Sequence, residues 1–483
     1  MSCLRAATAS RATHAPPIAT RRARPVIPRH SWAGAAFGSS VQSNPRLFAS
    51  LIIRSAVNAA SFTCSTDGDD MRAIVETGRS LDSGAMVEGP RRRRILCISF
   101  SDITADARVL RQLDVLTGLG DVTTIGYGDR PDAATEHLAI DPSLPSLPQT
   151  PAGVALLATR RFDRVEFKGP AVQAALAMLD GRRFDVVVAN EARAMALAHQ
   201  VADGAPVLAD LHEWAPEERA HVTSWRLLVR PFMFHQCAKY LPLMSAVTVV
   251  NASIGEMYRE RFGVRCRVVR NAGPLHDLRP QPLVEGRIRL VHSGGAVPGR
   301  NLEALIEAVR GLGAGHTLDL YLVPSRDGGR YLGKLRELID GDPRITLHDP
   351  VRPHELAPTL NAYDVGVFSL PPLTPNHRLM LPNKIFDFVQ ARLAVVFNSA
   401  PETDRLITGH GFGTLAPDHT AAAMRDTLAA LTPAQIAGYK QAAHRAADVL
   451  NSAEDAAVTH ATVAELLGDG AQPVSRSEPP SSV

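Results

Sequence analysis

Phe184-Asp-Val-Val-Val-Ala189 and Pro206-Val-Leu-Ala-Asp210 are the two stretches whose reading decides the fold. Each is a short run of β-branched and apolar residues, and a helical stretch separates them. Short unbroken apolar runs of this kind are strands buried on both faces. Strands that alternate with helices predict βαβ units and a parallel sheet. Ala246-Val-Thr-Val-Val250 and Cys266-Arg-Val-Val269 continue the series downstream. Upstream, Val109, Leu110, Leu113, Leu116 and Leu119 fall on one face of a helix expected over 106–119. A strand at 122–126 follows that helix. The run Arg91-Arg-Arg-Arg-Ile-Leu-Cys-Ile-Ser-Phe100 supplies the first strand.

Residues 274–285 hold three prolines and little apolar content, which reads as a linker. A second alternating series follows. Its strands are expected at 288–293, 318–323, 345–348, 365–368 and 394–398, and its helices at 301–312, 330–339, 353–361, 383–391 and 402–408. The predicted class is therefore α/β, with two doubly wound, Rossmann-like domains facing each other across a cleft. We place the first domain at 91–273, the linker at 274–286, the second domain at 287–450 and a closing helix at 451–467. The Gly/Pro/Ser-rich stretch 468–483 is expected to be disordered. Residues 1–90 are Arg- and Ser-rich, and the first 66 contain eight Arg and no acidic residue. That composition resembles a transit peptide. The preferred reading, given the Ala- and Arg-rich bias, is an over-extended start with Met71 or Met86 as the initiator.

The whole chain carries a net charge of +3. Without its first 66 residues it has 44 basic against 49 acidic residues, so the folded part is slightly acidic. This argues against nucleic acid as the partner, because phosphate backbones demand a basic face. Five scattered cysteines without CxxC spacing read as a reduced, cytoplasmic chain with neither zinc knuckle nor disulfide framework. No run of 18 apolar residues spans a membrane. Trp225-Arg-Leu-Leu-Val-Arg-Pro-Phe-Met-Phe234 leaves peripheral contact with the inner membrane face open; the competing reading is an amphipathic helix on the sheet.

Ligands of open α/β sheets sit at the carboxyl ends of the strands, and four segments fall there. His292-Ser-Gly-Gly295 ends the first strand of the second half. Gly294 and Gly295 let a backbone approach a phosphate, and Arg300 stands at the mouth of the next helix. Asn376-His-Arg-Leu-Met-Leu-Pro-Asn-Lys-Ile-Phe-Asp-Phe388 follows a later strand. Here Lys384 opens a helix, where a cation is disfavoured without an anion nearby. Asp387 lies one turn on, suited to ribose hydroxyls, and Asn376 and Asn383 join this donor set. Asp210-Leu-His-Glu213 groups Asp210, His212 and Glu213 at a strand end in the first half. A metal on these three is a weak alternative, and no HExxH is present. Asp102, Asp106 and Arg108 occupy the loop after the first strand, where an Asp can also serve as a helix cap.

Together and in this order the segments resemble the GT-B glycosyltransferases, and more closely the retaining, bacterial family-4 type. Leu381-Pro-Asn-Lys-Ile-Phe-Asp387, Ala394-Val-Val-Phe-Asn398 and Pro401-Glu-Thr-Asp-Arg-Leu-Ile407 carry the resemblance in the second half. Asp106-Ala-Arg-Val-Leu-Arg111, Asp210-Leu-His-Glu213 and Asn271 carry it in the first. It implies a hexosyltransferase moving a sugar from a nucleotide diphosphate sugar to a sugar, lipid-linked or small-molecule acceptor, with no metal or other cofactor required. It implies that Arg300 and Lys384 hold the diphosphate, Asp387 the ribose, and that His212 sits near the transferred sugar. The sequence departs from the pattern at Leu379, where the family has its first Glu, and at Arg392-Leu-Ala394, where it has Gly-x-Pro. Ala296 replaces a first basic residue after the glycine pair, and Asn376 is a candidate substitute for the missing contact. A nucleotide-sugar epimerase and a non-catalytic scaffold on the same fold are the alternatives.

Overall fold

The computed structural model describes residues 91–325 and 327–468. The expected N-terminal extension at 1–90 and all but the first residue of the tail at 468–483 lie outside the described residues.

Seven parallel strands form the first sheet: β1 (Arg94–Asp102), β2 (Asp121–Tyr127), β3 (Glu136–Ala139), β4 (Val186–Asn190), β5 (Val207–Leu211), β6 (Ala246–Val249) and β7 (Arg267–Val268). Their spatial order is β3-β2-β1-β4-β5-β6-β7. Six more form the second: β8 (Ile288–Ala296), β9 (His316–Pro324), β10 (Ile345–His348), β11 (Val365–Phe368), β12 (Ala394–Asn398) and β13 (Gly413–Ala416), in the order β10-β9-β8-β11-β12-β13. Each sheet reverses direction of growth once, at β1/β4 and at β8/β11, and these crevices are where a doubly wound sheet takes its ligand.

Both sheets are covered on both faces, as their apolar runs require. Ile95, Cys97, Val186 and Val188 point into one core, while Leu96, Ile98, Val187 and Ala189 point into the other. In the second sheet Ala394 and Val396 face one core and Val395 and Phe397 the opposite one.

The strand expected at 288–293 runs on to Ala296. Gly294 and Gly295 pair with Leu322 and Val323 of β9, so the glycines lie inside β8 and not in a turn after it. The strand expected at 266–269 shrinks to the exposed pair Arg267–Val268 at the sheet edge. Three helices at 151–158, 162–165 and 170–179 fill the connection from β3 to β4.

Arg392, in place of the glycine of the resembling pattern, takes a positive φ of 62°. Its buried guanidinium donates to the carbonyls of Gln390 at 2.7 Å, Val389 at 3.2 Å and His276 at 2.6 Å. Those bonds satisfy the end of the Lys384–Gln390 helix and offset the strain of the left-handed backbone.

The lobes touch directly. Asn251 Nδ2 donates to the Leu379 carbonyl at 2.8 Å, and Ser253 N donates to Glu402 Oε1 at 2.7 Å. The Leu379 side chain itself belongs to the core of the first lobe. The helix Ser452–Leu466 leaves the second lobe and packs on the first, where Val463 and Leu467 join the core behind β1. Arg270 pairs with Asp455 at 2.9 Å and Arg267 with Glu465 at 2.6 Å. Ser452 N donates to the Gly273 carbonyl at 2.8 Å, so the two chain crossings between lobes run side by side.

Candidate active site

On the second lobe, the cations gather at the β8/β11 crevice. Gly294 has φ 138°, and a Cβ there would collide with Nζ and Cε of Lys384. Only glycine lets that ammonium reach the backbone of β8. Lys384 Nζ also lies 5.7 Å from the centre of the Phe368 ring. Burial, then the neighbouring Arg300 charge, pushes the Lys384 ammonium down to about 8, against the opposing pull of Asp387. Burial likewise lowers Arg300. Two cations held close in a partly buried place with little opposing charge are poised for an anion. Arg300 stands just before Asn301, whose left-handed backbone (φ 59°) opens the helix Leu302–Arg310. Asn301 Nδ2 donates to Ser369 Oγ at 2.9 Å and to the His419 carbonyl at 2.7 Å, which fixes this corner.

Asp387 sits one turn beyond Lys384. Burial pushes its carboxyl up to about 6, against the charges of Lys384 and Arg111. His292 is kept neutral: burial, then Lys384, lowers it to about 3, and its Nδ1 donates to the Val367 carbonyl at 2.9 Å. A small pocket opens beside this corner, walled by Phe368, Leu370, Met380 and Asn398 at the ends of β11 and β12.

On the first lobe, Asp210 at the end of β5 is buried and fully engaged. Arg108 grips it with two bonds of 2.9 and 2.6 Å, Thr248 donates at 2.7 Å and Gln112 at 3.2 Å. Burial opposes its charge, but Arg108 holds the carboxyl far below the usual range. Arg108 and Asp210 thus form the buried floor of this lobe's crevice. His212 lies above them with Nδ1 2.9 Å from Glu191 Oε1 and Nε2 3.3 Å from Asp210 Oδ2. Burial opposes protonation of the ring, but the Glu191 and Asp210 carboxylates outweigh it and raise it to about 10. His212 therefore meets the crevice as a cation and not as a base.

Asp106 caps the Ala107–Thr117 helix, accepting from Arg108 N at 3.2 Å and Val109 N at 3.3 Å. Asp102 is exposed and accepts from Thr104 Oγ1 at 2.8 Å. Asn376 joins the lobes: its Oδ1 accepts from Trp214 N at 2.9 Å and its Nδ2 donates to Glu213 Oε2 at 3.1 Å. Asn376 and Glu213 thereby hold the lobes together at the rim. Asn383 accepts from Asn271 Nδ2 at 3.1 Å, and Arg111 bonds the other end of that Asn271 amide. Arg111, from the first lobe, thus reaches the side of the crevice where Asp387 lies.

Arg111 and Glu191 also belong to this site, though neither is announced as a site residue by the sequence. Glu191 follows β4 with φ 69° and ψ 153°, a backbone region that belongs to glycine. A strained residue at a strand end, holding the ring of His212, is the kind of outlier that clusters at functional sites. Replacement by Ala and by Gly removes the same carboxylate but only Gly relieves the backbone. We expect Glu191→Gly to be more stable than Glu191→Ala by about 1–2 kcal/mol in urea unfolding. Equal midpoints for the two variants would contradict the strain.

No protein-family model matches the sequence, and no curated protein does. Solved structures share its architecture. HepE of Anabaena, in complex with UDP and glucose, aligns with a TM-score of 0.55 at 14% identity, covering 78% of this chain and 100% of its own. The sucrose-phosphate synthase of Thermosynechococcus elongatus aligns at 0.57 and 15%, with the same coverage. The trehalose-6-phosphate synthase of Burkholderia multivorans aligns at 0.53 and 12%, covering 79% of this chain and 99% of its own. Such identities establish the fold, which is of the two-domain GT-B type.

Proposed function

We propose that this protein is a glycosyltransferase that moves a hexose from a nucleotide diphosphate sugar to an acceptor hydroxyl. The observation that carries the reading is the Lys384 ammonium, set against the backbone of Gly294 with Arg300 beside it. Breaking the glycosidic bond leaves its electron pair on the diphosphate, and these two cations answer the charge that develops there. The N–H groups that open the Leu302–Arg310 helix add to the same field. In this reading no metal is needed for the transfer. Asp387 takes the ribose hydroxyls. The cationic ring of His212, held by Glu191 and Asp210, faces the sugar side.

The HepE structure that holds UDP and glucose supports uridine as the base to try first. Retention and the family-4 type rest on the run Leu381–Asp387; with no side-chain nucleophile in the motifs, the acceptor would attack from the face the diphosphate leaves, its proton passing to a phosphate oxygen. Leu379, in the core of the first lobe, does not replace the family's first Glu at the sugar, so sugar choice falls to other groups. The acceptor is a sugar, a lipid-linked saccharide or a small molecule. No helix among the described residues is long and apolar enough to cross a membrane; a cytoplasmic place, with or without contact to the membrane surface, fits the free Cys97, Cys237 and Cys266.

The test is UDP binding followed by calorimetry and thermal shift. UDP should raise the melting temperature of the parent chain and not of Lys384→Ala. Affinity should be greatest between about pH 6 and about pH 8, the window set by Asp387 and Lys384. Above it Lys384 sheds its proton in the free protein, and binding weakens by up to about tenfold per pH unit. Below it Asp387 takes one up and stops accepting from ribose. No thermal shift with UDP or any other nucleoside diphosphate would overturn the assignment.

A further inference from the structure

On the first lobe, three side chains that play no part in the transfer converge. Asp163 lies in the short helix Phe162–Val165, Glu166 ends that helix, and His235 lies in the helix Arg230–Tyr240. One ligand atom from each falls within 4.8 Å of the others. His235 Nε2 stands 3.4 Å from Asp163 Oδ1 and 3.8 Å from Glu166 Oε2.

Two of these atoms are orphans. His235 Nε2 and Glu166 Oε2 are buried and have no hydrogen-bond partner. The Glu166 side chain is only 5% exposed. The nearby Tyr240 phenol is raised by burial first, then by the charge and the side chain of Glu166 beside it. A buried carboxylate oxygen left without a donor is costly, and a native fold rarely keeps one without a use. The spacing suggests the use. Zinc bonds of about 2.0–2.1 Å to nitrogen and oxygen in tetrahedral array set the ligand atoms roughly 3.3–3.5 Å apart.

We propose that Asp163, Glu166 and His235 form a divalent cation site of the zinc class, which ties the Phe162–Val165 segment to the Arg230–Tyr240 helix. One imidazole nitrogen and two carboxylate oxygens suit zinc or cobalt better than magnesium, which prefers oxygen ligands and its own waters. A water completes the fourth position. The two segments already meet through the rings of Phe162 and Phe232, 5.8 Å apart, so the cation clamps an existing contact.

Lys239 is the competitor. Its Nζ lies 2.7 Å from Glu166 Oε1 and 3.1 Å from Asp163 Oδ1. It uses the Glu166 oxygen that turns away from His235, but it shares the Asp163 oxygen. Its side chain is 37% exposed, so its flexible stem can swing the ammonium into water. The cation and the ammonium thus exclude each other at Asp163, and removing Lys239 should strengthen the site.

The experiment is a cobalt titration of the full chain after chelator treatment. One Co²⁺ per chain should bind with the strong visible absorption of tetrahedral cobalt, and Zn²⁺ should displace it. Glu166→Gln and His235→Ala should abolish the band, and Lys239→Met should tighten binding by about tenfold. Asp163 is 76% exposed, so Asp163→Asn tests the site without threatening the fold and should weaken binding at least tenfold. Absence of a tetrahedral band, or a band that survives in both His235→Ala and Asp163→Asn, would overturn the proposal. UDP binding is read separately and does not depend on either result.

Discussion

Lys384→Ala is expected to lower sugar-donor turnover by roughly 10²–10³ while leaving the chain as stable as its parent or more so. The two halves of this result follow from one geometry. The ammonium stands at the backbone of Gly294, where a leaving diphosphate would need it under the proposed function. In the absence of an anion it stands beside Arg300 and is partly withdrawn from water, so the free protein bears a cost that the substrate relieves. Removing the ammonium removes that cost along with the function. A merely structural lysine would show the opposite pattern: lost stability with turnover preserved. The measurement is UDP release together with a thermal melt, on Lys384→Ala and on Arg300→Ala. Losses below threefold in both would sink the glycosyltransferase reading.

Asp210→Ala is the substitution expected to damage the fold most. Its carboxylate is buried and takes two bonds from Arg108 and one each from Thr248 and Gln112. Without it the Arg108 guanidinium stays buried with no carboxylate bonded to it, only the carbonyls of Val269 and Arg270, while Glu191 and Asp455 act from further off. Breaking one side of a buried pair costs about 3–5 kcal/mol, far more than a surface pair. The urea midpoint should fall accordingly. Arg108→Leu added to Asp210→Ala should recover part of the loss, because no uncompensated charge then remains. Additive losses in the double variant would show that the pair does not act as a unit.

Much of the architecture was readable from the chain because both sheets are covered on both faces. A strand such as Val186–Asn190 or Ala394–Asn398 has no polar side to show, so it reads as an unbroken apolar run. The end of β8 was not readable. His292, Ser293 and the glycines lack strand character, and their place in the sheet comes from pairing with β9, a partner distant in sequence. Lys384 stood out because a lysine opening a helix needs an explanation. Glu191 did not stand out, since nothing in Asn190-Glu191-Ala192 announces a positive φ; glycine or asparagine would have. Arg392 and Leu379 read as departures from a motif. The structure gives each a tertiary reason: carbonyls to satisfy in one case, the core of the other lobe to fill in the second.

The bond from Ser452 to Gly273 brings the outgoing and the returning chain together. Two cords fastened side by side behave like the two pins of a door. They permit rotation about the line that joins them and resist twisting and sliding in other directions. Such a pair of cords would favour a swing about that seam over other motions of the lobes. Asn376, bonded to Trp214 and Glu213, fastens the lobes at a second place, the catch that such a door needs.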